Sequence, residues 1–339
     1  MAKKIRWGVL GAANIAINKV IPAMQASEFC EIAAIASRSS ENASRAAGSL
    51  NVSKSYGSYD DLLADKEIDA IYNPLPNDLH VEWTLKAASA GKHVLCEKPL
   101  ALTAKDAEKL IEARDRTGVK IEEAFMVRTH PQWLVVRDLI RENRIGKMRA
   151  TTMFFSYFNA DAGNIRNKKE NGGGALMDIG CYCINLPRFI TGEEPRRVSA
   201  LIERDELTGI DKLTSAILDF PSCHSTFTCS TQLVPHQRMH FFGDKGRIEV
   251  EIPVNIPVDT PTRIYLDDGA DLCGKNVETI EIPAANQYTI QGDLFSKAIL
   301  ENSELPISLE DSVKNMTVID AIFRAAESGR WEKPSNFSL

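Results

Sequence analysis

Residues 8–16 read Gly8-Val9-Leu10-Gly11-Ala12-Ala13-Asn14-Ile15-Ala16 and follow the apolar run Ile5–Leu10. A buried strand that ends on a small residue and turns straight into a helix is the start of a βαβ unit. Gly11 suits the tight turn. The helix that opens near Asn14 and Ile15 would leave its first N–H groups free to hold a pyrophosphate. Ala13 and Ala16 stand where the GxGxxG fingerprint has its second and third glycines, so close backbone approach is retained although the motif is degenerate. The same pattern would suit a strand–helix turn in another α/β domain, so the segments around it have to decide.

Outward from this stretch, strand and helix signals alternate through residue 125. Strands are expected at Ile5–Leu10, Glu31–Ala36, Ala70–Asn73, His93–Cys96 and Lys120–Glu123. Helices are expected at Asn14–Ser27 (interrupted by Pro22), Ser40–Ser49, His80–Ala90 and Ala104–Thr117. Short connections and continuously apolar strands imply a doubly wound parallel sheet, a Rossmann domain over residues 1–125. From residue 126 the rhythm changes. A helix at Gln132–Glu142 leads into a long strand at Met148–Phe158, then a Gly-rich loop and a helix near Ala175–Ile190. Successive strands follow at Arg197–Glu203, Leu213–Phe220, Ser225–Thr231, Arg238–Phe242, Arg247–Glu251, Arg263–Leu266 and Val277–Ile282. Helices near Asn286–Asn302 and Leu309–Ser328 close the chain. This order implies an α+β domain with a largely antiparallel sheet over residues 126–339, its C-terminal helices free to pack back on the first domain.

The end of the second strand selects the dinucleotide. An acid there would hold a ribose 2′-hydroxyl; this chain has Ser37-Arg38-Ser39. Ser37 can donate a hydrogen bond and Arg38 charge-assisted ones, which favours a 2′-phosphate and therefore NADP, with NAD still possible.

Further motifs lie in one order along the chain. They are Pro74-Leu75-Pro76-Asn77-Asp78-Leu79-His80, Gly91-Lys92-His93-Val94-Leu95-Cys96-Glu97-Lys98-Pro99, Glu123-Ala124-Phe125-Met126-Val127-Arg128-Thr129-His130-Pro131 and Gly172-Gly173-Gly174-Ala175-Leu176-Met177-Asp178-Ile179-Gly180-Cys181-Tyr182. With them the sequence resembles the glucose–fructose oxidoreductase/inositol dehydrogenase (Gfo/Idh/MocA) family over residues 1 to about 195. The resemblance implies a Rossmann domain, an open-faced second domain, and homodimers or homotetramers built on the outer face of its sheet. It also implies a cis Lys98–Pro99 peptide. The helix motif more often ends in histidine; Tyr182 here is similar to the glucose–fructose oxidoreductase and dimeric dihydrodiol dehydrogenase branches.

Lys98 follows a short apolar strand at the carboxyl edge of the sheet, where doubly wound folds bind ligands. Taken alone it reads as a surface lysine beside a turn-making proline; within the matching motif it is a catalytic candidate that would stabilise negative charge on a substrate oxygen. Asp178 and Tyr182 are four apart in a helical stretch, which brings them to one face. A tyrosine with an ordinary pKa of ~10 is a weak base at neutral pH and needs a nearby cation such as Lys98. The expected division of labour is Tyr182 exchanging a proton with the substrate, Lys98 tuning it, and Asp178 orienting the sugar hydroxyls or the lysine. The bland alternative is a buried helical tyrosine beside a capping acid. Gly11, Ala13, Asn14, Ile15, Ser37, Arg38, Pro74, Asn77, His80, Glu97, Lys98 and Arg166 are expected at the cofactor. Arg128 and Asn185 are expected at the substrate. His130 suits backbone capping equally well.

Seven scattered cysteines without a CxxC pair, and His236 and His240 in a strand without partner ligands, give no metal site. A net charge of −6 over 339 residues gives no case for nucleic acid or an anionic membrane as partner. No stretch approaches the ~18 apolar residues of a membrane span, and the N-terminal apolar run is too short for a signal segment. A reduced, cytoplasmic enzyme is expected. The leading reading is oxidation of an aldopyranose such as D-xylose or D-glucose at C1. Alternatives are trans-dihydrodiol oxidation, keto-sugar reduction, or, in another class, a cofactor-sensing regulator without turnover.

Overall fold

The computed structural model describes residues 3–335. The chain divides into two compact units, Met1–Met126 with Gln287–Val313 and Val127–Asn286 with Lys314–Leu339.

The first unit is built on a six-stranded parallel sheet. Its strands are β1 (Ile5–Leu10), β2 (Cys30–Ala36), β3 (Lys54–Tyr56), β4 (Ala70–Asn73), β5 (His93–Cys96) and β6 (Ile121–Glu123), in the spatial order β3-β2-β1-β4-β5-β6. This is the strand order of a dinucleotide-binding Rossmann sheet, whose direction reverses between β1 and β4. The expected strands are all present; β3 and the short helix Tyr59–Ala64 were not anticipated. Three residues of mixed exposure carry too little periodicity to announce a strand.

Apolar residues explain why β1 is central. Trp7 and Val9 are fully buried, and Trp7 packs at 5.2 Å on Phe295 of the late helix Gln287–Leu300. The indole N–H donates to Ser296 Oγ at 3.1 Å, so the buried polar edge of the ring is satisfied by the same helix. That helix is also tied by Thr289 Oγ1, which donates to the Ala23 carbonyl, and by a short hydrogen bond between Ser27 and Asp293. A segment 287 residues along the chain thus completes the core of the first sheet.

The second unit carries an eight-stranded sheet in the order β14-β13-β12-β11-β7-β10-β9-β8. These are β7 (Met148–Phe158), β8 (Arg197–Arg204), β9 (Asp211–Asp219), β10 (His224–Ser230), β11 (Gln232–Gly243), β12 (Arg247–Val250), β13 (Thr262–Asp267) and β14 (Glu278–Ile282). Every neighbouring pair is antiparallel except β10 with β7. The strand β11 starts six residues earlier than the sequence suggests, because its register shifts between Gln232 and His236 around Pro235. One face of the sheet is covered by the helices Pro131–Arg141 and Cys181–Thr191. Along the strands the alternate residues point away from them. Ala200, Ala216 and Met153 are buried while their neighbours Leu201 (77% exposed), Ile217 (44%) and Phe154 (36%) are not. Among the described residues, no helix is long and apolar enough to cross a membrane.

Candidate active site

In the first unit the expected cofactor residues gather at the carboxyl ends of β1, β2, β4 and β5. Gly11 has φ +87°, a left-handed conformation that favours glycine, and its N–H donates to the Ala36 carbonyl at 2.7 Å. A side chain here would press on Leu75, from the loop after β4. The helix begins at residue 14, and residues 16–20 form a wide π-helical turn. Such turns are rare and concentrate at functional sites. Ala13, Asn14 and Ile15 therefore border a bare helix start. At the end of β2, Arg38 is exposed and its charge lies close to the Tyr59 hydroxyl, whose pKa burial raises and the guanidinium partly draws back. Tyr59 stands edge-on to Trp83 at 4.8 Å, so a packed aromatic pair lies beside the arginine. No acid occupies residues 37–40.

Pro74 and Asn77 lie on the loop after β4, where Asn77 opens a short 3₁₀ turn. Glu97 accepts the Tyr72 hydroxyl at 2.7 Å and the Lys98 N–H at 3.3 Å, which fixes the strand end from which Lys98 projects. The Lys98–Pro99 peptide is cis, as expected. His80 departs from expectation. It is fully buried, and its ring nitrogens lie 2.7 Å from the carbonyl oxygens of Leu75 and Pro99. Burial, and to a lesser degree the nearby Lys98 charge, keep the imidazole pKa below its ordinary value. Neither nitrogen is left to meet a cofactor. His80 instead ties the loop after β4 to the turn that carries Lys98.

In the second unit the sequence Gly172-Gly173-Gly174 leads into a π-helical turn at Leu176–Gly180 that runs on into the helix Cys181–Thr191. Asp178 lies in the wide turn and Tyr182, 4% exposed, in the first turn of the helix proper. The expected uniform α-helix is thus broken at this pair. Asp178 Oδ2 accepts the Tyr157 hydroxyl at 2.6 Å and Arg166 Nε at 3.1 Å. Tyr157, from β7, was not found by sequence reasoning, since one tyrosine in an alternating strand gives no signal. Burial and the Asp178 charge push its phenol well above the usual range, so it acts as a fixed donor. Arg166, expected at the cofactor, bonds Asp178 within its own unit.

Further along the same helix, Asn185 is fully buried, and Arg128 approaches its Oδ1 at 3.5 Å while lying 4.4 Å above the Phe189 ring. Arg188, buried in the same helix, is taken up by Glu194 and Asn315. His130 caps the helix Pro131–Arg141 through its ring nitrogen, which accepts the Gln132 N–H. All seven cysteines are free thiols, and no cluster of metal-ligating side chains exists among the described residues.

The family model for the oxidoreductase family with an NAD-binding Rossmann fold matches residues 5–125, and the C-terminal domain model of the same family matches residues 133–249. The chain belongs to the Gfo/Idh/MocA oxidoreductase family. It is 46% identical over 329 residues (97% of this chain, 98% of the other) to an uncharacterized oxidoreductase of Rhizobium meliloti. It is 37% identical over 327 residues to an NADP(+) D-xylose 1-dehydrogenase of Haloferax volcanii, covering 95% of this chain and 98% of that one. A 3-ketoreductase of Actinomadura kijaniata, solved with NADP and TDP-benzene, superposes with a TM-score of 0.90 at 30% identity, covering 95% and 98%. The expected family and two-domain fold class are borne out, and the chain is an oxidoreductase.

The His80 geometry gives a first test. Replacing His80 by Ala removes the imidazole that fills the space between two buried carbonyls and strips the ring's single N–H donor from one of them, and the expected cost is about 1–3 kcal/mol of stability. Denaturant unfolding of the variant measures it. A midpoint unchanged from wild type would contradict the assigned role.

Proposed function

We propose that this oxidoreductase uses NADP to move a hydride between a carbinol carbon of a sugar or polyol and the nicotinamide, with an aldopyranose of the D-xylose or D-glucose type, oxidised at C1, as substrate. The observation that carries the reading is the set Asp178, Tyr182 and Asn185 on one nearly buried helical segment. Polar groups are costly to bury without partners, and the Asn185 amide nitrogen has none among the described residues. Such a set suits a ligand that presents several hydroxyls.

The residues around Gly11 fit a dinucleotide: the turn has a left-handed φ that strains any residue but glycine, a helix start follows, and Ser37 and Arg38 stand where an acid would oppose a 2′-phosphate. Gly11, Ala13, Asn14 and Ile15 would hold the pyrophosphate, Ser37 and Arg38 the 2′-phosphate, and Pro74 and Asn77 the nicotinamide half. The bound cofactor supplies hydride acceptance and donation at nicotinamide C4. Tyr182 takes the hydroxyl proton as the C–H hydride departs, leaving a carbonyl, and returns that proton in the opposite direction. The Lys98 ammonium stabilises negative charge on the phenol and substrate oxygens. Asp178, held by Tyr157 and Arg166, orients a neighbouring hydroxyl, and Arg128 and Asn185 receive others.

Reduction of a keto-sugar by the same residues is the second reading, favoured by the likeness to the Actinomadura ketoreductase. A cofactor-sensing protein would bind NADP without turnover. The apolar outer face at Leu201, Ile217 and Phe154 supports self-association through the second sheet, since contiguous exposed apolar surface marks interaction sites.

Adding NADP and a panel of aldoses, and following the near-ultraviolet absorbance of the reduced nicotinamide, is the primary test. Turnover is expected with at least one aldopyranose, and Tyr182→Phe should lower kcat by roughly 100-fold or more; near-wild-type turnover would remove Tyr182 from the chemistry. Arg38→Ala should raise KM for NADP about 10- to 100-fold, from the loss of a charge-assisted bond, and leave KM for NAD unchanged. Equal effects on both cofactors would place Arg38 elsewhere. In sedimentation the wild-type chain should be dimeric or tetrameric and a Leu201→Lys/Ile217→Lys variant monomeric; a monomeric wild type would refute the association.

A further inference from the structure

The helical segment that carries Asp178 and Tyr182 is held from the sheet by an acid that no motif announces. Asp211 opens β9 and is 2% exposed. Its Oδ2 accepts the backbone N–H of Leu176 at 2.6 Å and the Thr214 hydroxyl at 3.0 Å. Leu176 opens the wide turn, where a helix leaves its N–H groups without internal partners and favours negative charge. The other carboxylate oxygen rests against Gly174, whose φ is +122° and where any side chain would overlap Asp211. Gly174 is tied in turn to the loop before it, its N–H donating to the Arg166 carbonyl at 2.9 Å. The Arg166 side chain then returns to Asp178. One carboxylate therefore fixes the backbone from which both arms of this cluster spring.

We propose that Asp211 is a positioning residue for the oxidoreductase reaction: its carboxylate anchors Leu176 and Gly174 and so sets the orientation of Asp178 and Tyr182. The inference rests on the role given above to those two residues.

Charge matters to this anchor. Burial pushes the Asp211 carboxyl up to about 6, against the pull of its hydrogen bonds and of Arg204, its register partner on β8. The other titratable groups facing it are Cys229 on β10, with Cys181 and Cys183 of the helix Cys181–Thr191 beside that thiol. Burial holds the Cys183 and Cys229 thiols far above neutrality, so they stay protonated. The folded pKa of Asp211 lies above its unfolded value, so the fold favours the protonated acid. The ionised form costs stability above about pH 6, and that cost fades as the pH falls toward the unfolded pKa. Asp211→Asn removes the buried charge and is expected to fold at least as stably as wild type at neutral pH, yet to lose the charge-assisted hold on Leu176. Folding and positioning are thereby separated.

The test compares wild type and Asp211→Asn in thermal melting, in hydrogen exchange of residues 175–182, and in kinetics with NADP and the sugar turned over by the wild type. Expected are an undiminished melting temperature, faster exchange in that segment, a kcat lowered about 10-fold or more, and KM for NADP within about two-fold. The wild-type kcat should also fall on the acid side near pH 6, a limb that the variant lacks. Unchanged kcat and exchange would overturn the proposal, as would a kcat loss matched by a lower melting temperature and weaker NADP binding. If Asp211→Asn does not fold, Thr214→Val keeps the charge but removes one donor. It should move the acid limb to higher pH, and an unmoved limb would overturn the proposal equally. If the wild type turns over no sugar, the functional reading fails, while exchange still decides whether Asp211 anchors the segment.

Discussion

A parallel sheet whose chain begins on an inner strand must send its crossovers to both faces, and they part where the strand order reverses. Here that reversal lies between β1 and β4. The loops after these two strands cannot cover the sheet edge there, and Gly11 and Leu75 meet across it. Much of the first unit follows from keeping this edge open yet rigid. Trp7 and Phe295 lock β1 from below, His80 staples the β4 loop to the Lys98 turn, and Glu97 braces the end of β5. A ligand placed there meets a helix start and backbone N–H groups, with Arg38 at the end of β2 close to the Tyr59–Trp83 pair.

The second unit answers a different constraint. A helix that lies against a sheet with nearly every residue buried has little room for polar side chains unless each is satisfied. Arg188 is satisfied by an ion pair and an amide. Asp178 is satisfied by a phenol and a guanidinium, and Leu176 by Asp211. The wide turn at residues 176–180 is where this helix gives up regular hydrogen bonding, and it carries Asp178 and the Leu176 N–H that Asp211 accepts. Two carboxylates, one on the wide turn and one at the start of β9, take opposite parts: Asp178 is partly exposed, whereas Asp211 is buried.

Long apolar strands and capped helices were legible from the residues. β1, β4, β5 and β7 and the helices Ser40–Ser49, Ala104–Thr117 and Leu309–Ser328 have the bounds that periodicity gives. So was the pairing of a degenerate glycine turn with Ser37-Arg38, because both lie within one βαβ unit. Contacts made across the fold were not. Tyr157 and Asp211 reach Asp178 and Leu176 from strands 21 and 35 residues away, and neither strand pattern marks those positions as special. His80 looked like a ligand-facing histidine in a loop motif, but its burial depends on two turns that only the fold brings together. The wide helical turns were equally hidden, since no residue type specifies them.

Tracing the hydride itself is the most direct test of the account. With an aldose carrying deuterium at C1 and NADP as acceptor, mass spectrometry of the reduced cofactor should find the label on the nicotinamide, and the initial rate should fall relative to unlabelled sugar. Deuterium appearing in water, with an unlabelled cofactor, would contradict hydride transfer from a carbinol carbon.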